Sequence, residues 1–296
     1  MLNAYQAGNV SSRPNLHSYV AYLVAIVNSK TPEAPEEAEK LLMVMYKDYC
    51  SGNKSAKPNA LAITQVIDCW GKSGRRDAGE RAEALLDWML KLYDEQKDES
   101  FKPNQMTWNA VVNAWAKSRV FGKANRAKEV LDRMVTMYES GDRSEAARPN
   151  HIVYTAVVNA AAYTVGDEAE KLKAFQIATN TLKDMEHSKY GKPNQVTYAT
   201  YVTACQRLIP DGSSRKTSVE AAFKKCCKDG MVDDMVLQRI KSALTTEQLR
   251  ELFQNPEMFA KDGNINVKNL PREWGSNVKD LNSKKPHENK RNAKRT

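Results

Sequence analysis

No apolar run in this chain is long enough to cross a bilayer. The longest, Tyr19 to Val27, falls well short of the roughly 18 residues a membrane span needs, so no membrane partner is expected. Cysteine is scarce: Cys50, Cys69, Cys205, Cys226 and Cys227 form no Cys-x-x-Cys pair. The four histidines are scattered singly. Neither a disulfide framework nor a zinc site is encoded, so no metal and no cofactor is expected, and a reducing compartment fits best. The N-terminus lacks the basic start and apolar stretch of a targeting segment. Carboxylates do not cluster outside the patterned regions described below, and the one acidic pair, Asp233-Asp234, stands at a helix start where it reads as capping and dipole stabilisation. With no catalytic constellation the chain is read as a non-enzyme without a small-molecule substrate.

Charge needs dividing before it is interpreted. The formal charge is +9, but residues 279–296 alone hold +5 of it, leaving +4 for the rest. A body this weakly basic suits nucleic acid only if its cations gather on one face. From Lys279 onward Asn, Ser, Pro and charge replace apolar residues, so a disordered basic tail is expected.

Proline is present only 11 times, yet five of those residues form a regular series. Pro14-Asn15, Pro58-Asn59, Pro103-Asn104, Pro149-Asn150 and Pro193-Asn194 are each preceded by Lys or Arg, at intervals of 44, 45, 46 and 44 residues. A period in this range marks stacked supersecondary units rather than one closed core.

After each Pro-Asn the apolar residues recur with helical spacing: Tyr19, Tyr22, Leu23, Ile26; Ile63, Val66, Ile67, Trp70; Trp108, Val111, Val112, Trp115; Tyr154, Val157, Val158, Ala161; Tyr198, Tyr201, Val202, Cys205. Asn is a good N-cap and the preceding Pro stiffens the entry, so each Pro-Asn starts a helix. A second stripe follows in every unit, for example Ala82, Leu85, Leu86, Met89 and Ala127, Val130, Leu131, Met134. Each unit is therefore a helical hairpin, with turns such as Lys72-Ser73-Gly74 between its helices. The Pro-to-Met distance is 31 residues in the first three units and 36 in the fourth, which predicts a longer hairpin turn there. The aromatics of these stripes, Tyr19, Trp70, Trp108, Trp115, Tyr154 and Tyr198, share the spacing of the packing residues and are assigned to the core rather than to base stacking.

The fold class predicted is all-α: a right-handed α-solenoid, or superhelix, of helical hairpins with a short helical C-terminal cap. The array spans residues 1–229, with units near 15–58, 59–102, 104–148, 150–192 and 194–229. Residues 1–14 read as the end of an upstream unit, because Met1-Leu2-Asn3-Ala4-Tyr5 before Pro14 matches Met89-Leu90-Lys91-Leu92-Tyr93 before Pro103. A truncated array whose upstream repeats and address are missing is the expectation. Residues 230–278 form a helical cap and strap, with helices over Asp233 to Leu244 and Thr246 to Gln254, a capping box at Thr245-x-x-Gln248, and Trp274 laid over apolar surface.

The phrase Lys-Pro-Asn-Gln-Met-Thr-Trp-Asn-Ala-Val-Val-Asn-Ala-Trp-Ala-Lys-Ser at 102–118, followed by the second stripe to Met134, resembles the pentatricopeptide repeat, as do 148–160 and 192–203. Units of that family are near 35 residues, so this chain departs from it in length, with surplus residues in stretches such as Tyr93–Phe101 and Tyr138–Ala147. Such surface insertions are thermodynamically cheap.

The resemblance implies that first helices line a concave groove in which each unit meets one base of single-stranded RNA. The implied base-reading pairs are Val20 with Asn59, Thr64 with Asn104, Asn109 with Asn150 and Thr155 with Asn194, and Ala199 has no closing partner. Units two to four would then prefer adenine, cytosine or uracil, and adenine, 5′ to 3′. His17, Leu61, Met106, Ile152 and Val196 would flank the base planes, and Lys72, Lys117 and Arg207 are candidate phosphate contacts. The His-x-Glu and Cys-x-x-Cys signature of the deaminase domains found on some relatives is absent from the sequence. RNA-processing proteins are the implied further partners, and mitochondrion or chloroplast the implied location. A protein-binding scaffold without RNA is the alternative.

Overall fold

The computed structural model describes residues 13–140, 147–259, 265–266 and 269–278. The expected upstream helix end at Met1–Tyr5, part of the Tyr138–Ala147 stretch and the tail 279–296 lie outside these residues. Among the described residues there are twelve α-helices: α1 (Leu16–Ser29), α2 (Ala34–Cys50), α3 (Ala60–Ser73), α4 (Ala78–Gln96), α5 (Gln105–Lys117), α6 (Lys123–Glu139), α7 (His151–Ala162), α8 (Glu168–His187), α9 (Gln195–Leu208), α10 (Ser213–Lys228), α11 (Asp234–Ala243) and α12 (Thr246–Phe253). The chain is an all-α solenoid of five such hairpins, α1/α2 to α9/α10, followed by α11 and α12. The described residues include no strand, only an isolated bridge between Phe259 and Ile265.

Every first helix begins on its predicted cap. The Oδ1 of Asn15, Asn59, Asn104, Asn150 and Asn194 accepts from a backbone N–H of its own helix two or three residues on, at 3.0–3.2 Å, and the five prolines before these caps are buried. Each cap satisfies one of the orphan donors of the first turn, which is why the entry is fixed so sharply. Gly74, at φ 67°, closes α3 in the left-handed conformation.

Stacking follows from the stripes. The residues of both stripes are buried with one exception, Tyr22, which is 53% exposed because no described helix lies on the far side of α1. The assigned core aromatics are all inside. Trp70 Nε1 donates to Glu39 at 2.8 Å and Trp115 Nε1 donates to Glu83 at 2.9 Å, each indole reaching back to the second helix of the preceding unit. Arg81 and Arg126 lie over the two indole rings at 5.5 and 5.6 Å from the centroids. The joint is tight: a Cβ added at Gly79 would stand 2.5 Å from the Trp115 ring.

One expectation is corrected. The turn of the fourth hairpin, 163–167, is no longer than that of the third, 118–122; the surplus instead lengthens α8 to 20 residues. Its local sequence favours helix, since Asp167 caps Glu170 N at 2.8 Å and Glu168 and Glu170 sit in the first turn, where the helix dipole attracts anions.

First helices of consecutive units pack on one another throughout the array, whereas second helices meet mainly where α6 touches α8. The stack is therefore tightest along the first helices, which places them on the inner side of its curve. After the fifth hairpin α11 packs along α9 in the position of a further first helix, capped by Asp233, whose carboxylate accepts from Val236 N at 2.8 Å. The capping box at Thr245 and Gln248 opens α12. Trp274 stands edge-on to Phe223 with centroids 5.4 Å apart and covers the end of the core.

Candidate nucleic-acid interface

Because every first helix starts from an equivalent cap, residues at equal distances from the five Asn residues form rows across the inner face. Two places after the cap stand His17, Leu61, Met106, Ile152 and Val196. Four of the five are not covered by neighbours: His17 is exposed, Leu61 and Ile152 are each 49% exposed and Met106 is 64% exposed, while Val196 is half-buried. A lone exposed Leu on a protein surface means little. Exposed apolar side chains in one register on three consecutive units mean that units two to four each present an apolar edge beside the cap.

Five places after the cap stand Val20, Thr64, Asn109, Thr155 and Ala199. The structure places these deeper than the edge row. Val20 is half-buried against the core. Thr64 is only 6% exposed, and its Oγ1 lies 2.7 Å from Thr107 Oγ1 on the next first helix. Thr155 repeats this contact, its Oγ1 2.8 Å from Thr197 Oγ1 and donating to His151 O at 2.8 Å. Both threonines thus tie neighbouring first helices together. At the corresponding place opposite Asn109 stands Val153, which has no side-chain donor, and the buried Asn109 Oδ1 is left without a partner. Sequence reasoning missed these ties because the partner is about 43 residues away in the next unit. The usable signal was the matching of pairs: Thr64 with Thr107 and Thr155 with Thr197 are both hydroxyl, whereas Val20 with Ala62 is apolar throughout.

Thr64→Val keeps the shape and removes the tie. Thr107 retains the Asn104 Oδ1 at 3.3 Å as a partner, so the expected loss of stability is about 1 kcal/mol, the net worth of one hydrogen bond. Urea unfolding measures it, and an unchanged midpoint would show that the hydroxyl pair contributes nothing.

The closing asparagines Asn59, Asn104, Asn150 and Asn194 are half-buried. Capping fixes each amide with its oxygen toward the helix, so the Nδ2 donor points away from it. In Asn150 that donor is used, on Gln105 Oε1 at 2.9 Å. Nine places after the cap a further polar row, Asp68, Asn113 and Asn159, is half-buried on the same helices and escaped the sequence reading.

The phosphate candidates share one register, thirteen places after the cap, near the C-terminal ends of the first helices. Lys72 and Lys117 are exposed; Lys72 pairs with Asp68 at 2.5 Å. Arg207 is also exposed and lies over the Tyr163 ring at 4.6 Å from its centroid, with Nε donating to Ala162 O at 3.1 Å. Asn28 and Tyr163 occupy the same register in the other two units and are exposed too. Units two to four thus each offer, from helix start to helix end, an apolar edge, a polar floor and a polar or cationic side chain. Helix α11, in the position of a sixth first helix, continues the first two rows with Met235, 36% exposed, and the exposed Gln238.

Among the described residues no group of His, Cys, Asp and Glu is arranged to hold a metal ion, and no helix is long and apolar enough to cross a membrane. No family model matches the chain, and no curated protein matches it. Among solved structures, the chain is similar to the crystal structure of the pentatricopeptide repeat protein PPR10 from maize, at 18% identity and a TM-score of 0.49, over 82% of this chain and 29% of that one. The chain therefore spans less than a third of that protein's length.

Proposed function

We propose that this chain binds single-stranded RNA along its first helices, one nucleotide per unit, and acts in organellar RNA metabolism with RNA-processing proteins as further partners. The observation that carries the proposal is one register of side chains, exposed at His17, Leu61, Met106 and Ile152, half-buried at Val196, and apolar in all but His17. Consecutive members of that row make slots that suit planar bases, and single-stranded RNA is the nucleic acid whose bases are free to enter them. Double-stranded nucleic acid hides those faces.

In this reading the capping asparagines and Asn109 meet base edges by hydrogen bonding. Thr64 and Thr155, small and turned to the neighbouring helix, leave room for a purine beside Asn104 and Asn194. Asn109 with Asn150 fills more of its slot and suits a pyrimidine. The middle three units then favour adenine, cytosine or uracil, and adenine. Val20 with Asn59 presents a mostly apolar slot of low selectivity. Lys72, Lys117 and Arg207 meet phosphates at the other end of the helices, and Met235 with Gln238 on α11 extends the track beyond the fifth unit. The chain itself performs no chemistry in this role.

Binding of a randomised RNA pool to the protein tests this directly. With three phosphate contacts the logarithm of affinity is expected to fall with the logarithm of salt at a slope of about −2, or about twentyfold between 50 and 200 mM. Asn109→Thr is expected to move the preference at one position from pyrimidine toward adenine and leave the other positions unchanged. A pool that stays unenriched, with no salt dependence, would refute RNA binding and favour a scaffold that grips protein segments with the same apolar row.

A further inference from the structure

Four cations converge on one cavity: Lys117 and Arg207 of the outer row, joined by Arg119 and Lys123, which belong to no row. It has a volume of about 670 Å3 and lies at the hairpin-turn ends of units three to five, between α5, α7 and α9. Lys117 and Arg119 approach from the end of α5 and its turn, Lys123 from the start of α6, Arg207 from α9, and Asn159 and Tyr163 supply neutral polar groups. No carboxylate lines it. The nearby Glu170 on α8 uses its Oε1 to accept from Gly122 N at 2.7 Å.

Lys123 is the telling residue. It is 4% exposed, and its ammonium donates to Ala116 O at 2.8 Å and to Ser118 O at 3.2 Å. Those two carbonyls use two of its three donors and give it no counter-charge. Burial, aided by the Arg207 guanidinium, pushes its pKa down to about 8. A buried cation usually comes with an anion, and here the protein supplies none.

The carbonyls at the ends of α5 and α7 would repel an anion, but they are already covered, Ala116 O by Lys123 and Ala162 O by Arg207. Each helix C-terminus contributes about half a negative charge, so four cations leave the cavity strongly positive. The ring of Tyr163, with Arg207 on one face, adds a flat surface beside the cations. Lys117 and Arg119 are exposed and have no ion-pair partner among the described residues.

We infer that this cavity is a phosphate-binding site, taking the phosphoryl group either of a free nucleotide or of a nucleotide within a bound RNA strand. Guanidinium and ammonium donors from three directions match the oxygens of a tetrahedral phosphate, with Arg119 and Arg207 able to bind it in two-pronged fashion. The site requires only its own side chains and stands whether or not the apolar row binds bases.

Calorimetric titration of the whole chain with uridine 5′-monophosphate and with uridine tests the site. The monophosphate is expected to bind at least tenfold more tightly than the nucleoside, and Lys117→Ala with Arg119→Ala to lower its affinity at least tenfold. Both residues are exposed, so circular dichroism of the double variant should match the parent. A pentanucleotide without a terminal phosphate identifies the source: displacement of the monophosphate marks an internal phosphodiester as the ligand, and failure to displace it marks a free or terminal phosphate. Equal binding of nucleotide and nucleoside, or full binding by the double variant, overturns the inference.

Discussion

Trp115→Ala is expected to lower stability by about 3–5 kcal/mol, the range for removing a large aromatic from a core. Trp115 is 4% exposed, its indole N–H is bonded to Glu83 on the preceding unit, and Arg126 covers its face while also pairing with Glu83 at 2.9 Å. Truncation therefore empties a cavity and removes one of the hydrogen bonds that join units two and three. Because a solenoid is held together by nearest-neighbour interfaces, the damage should be local. Hydrogen exchange is expected to show α3 and α4 opening independently of α7 to α10 in the variant, whereas the parent opens more cooperatively. Gly79→Ala approaches the same joint from the other side: its added methyl meets the indole and overpacks it, at a cost of about 1–3 kcal/mol. Exchange that rises evenly over all helices would contradict a stack of separable interfaces.

Residues such as these were legible in the sequence because their environment repeats with the chain. Trp70 and Trp115 occupy equal places in consecutive units, and an apolar residue at helical spacing has one place to go. The caps were equally plain, since Asn after Pro is a local instruction whose hydrogen bond closes within three residues. What local pattern could not give was the depth of the groove. Thr64 and Thr155 look like solvent-facing polar residues in their own helices, yet each meets a hydroxyl supplied by the next unit. Nor did the surplus of the fourth unit declare itself as helix rather than turn, because Pro-to-Met spacing counts residues without saying how they are wound. The cation cavity was hidden for a third reason. Arg119 and Lys123 lie in and after a turn, outside any repeated register, and only the stacking of α5, α7 and α9 brings them beside Arg207.

Removing the three cations of the outer row, with Lys72→Ala, Lys117→Ala and Arg207→Gln together, is expected to weaken RNA binding about 100-fold at 0.1 M salt. The magnitude follows from counterion release: three contacts at about 0.7 each give a slope of about −2, which amounts to about two decades of affinity between 0.1 and 1 M. Glutamine at 207 keeps a donor for Ala162 O, so the end of α7 stays satisfied. Lys72 and Lys117 are exposed, and loss of Lys72 gives up only a surface pair with Asp68, worth about 1 kcal/mol or less. Stability should therefore hold while affinity falls, and the salt slope should flatten by about 2 relative to the parent. The segment 279–296, which holds +5, is present in both proteins and so cancels from the difference. Affinity lost with an unchanged slope would mean that the three side chains act through packing. An unchanged affinity would mean that the strand does not follow the first helices, and the apolar row would then have to serve another ligand.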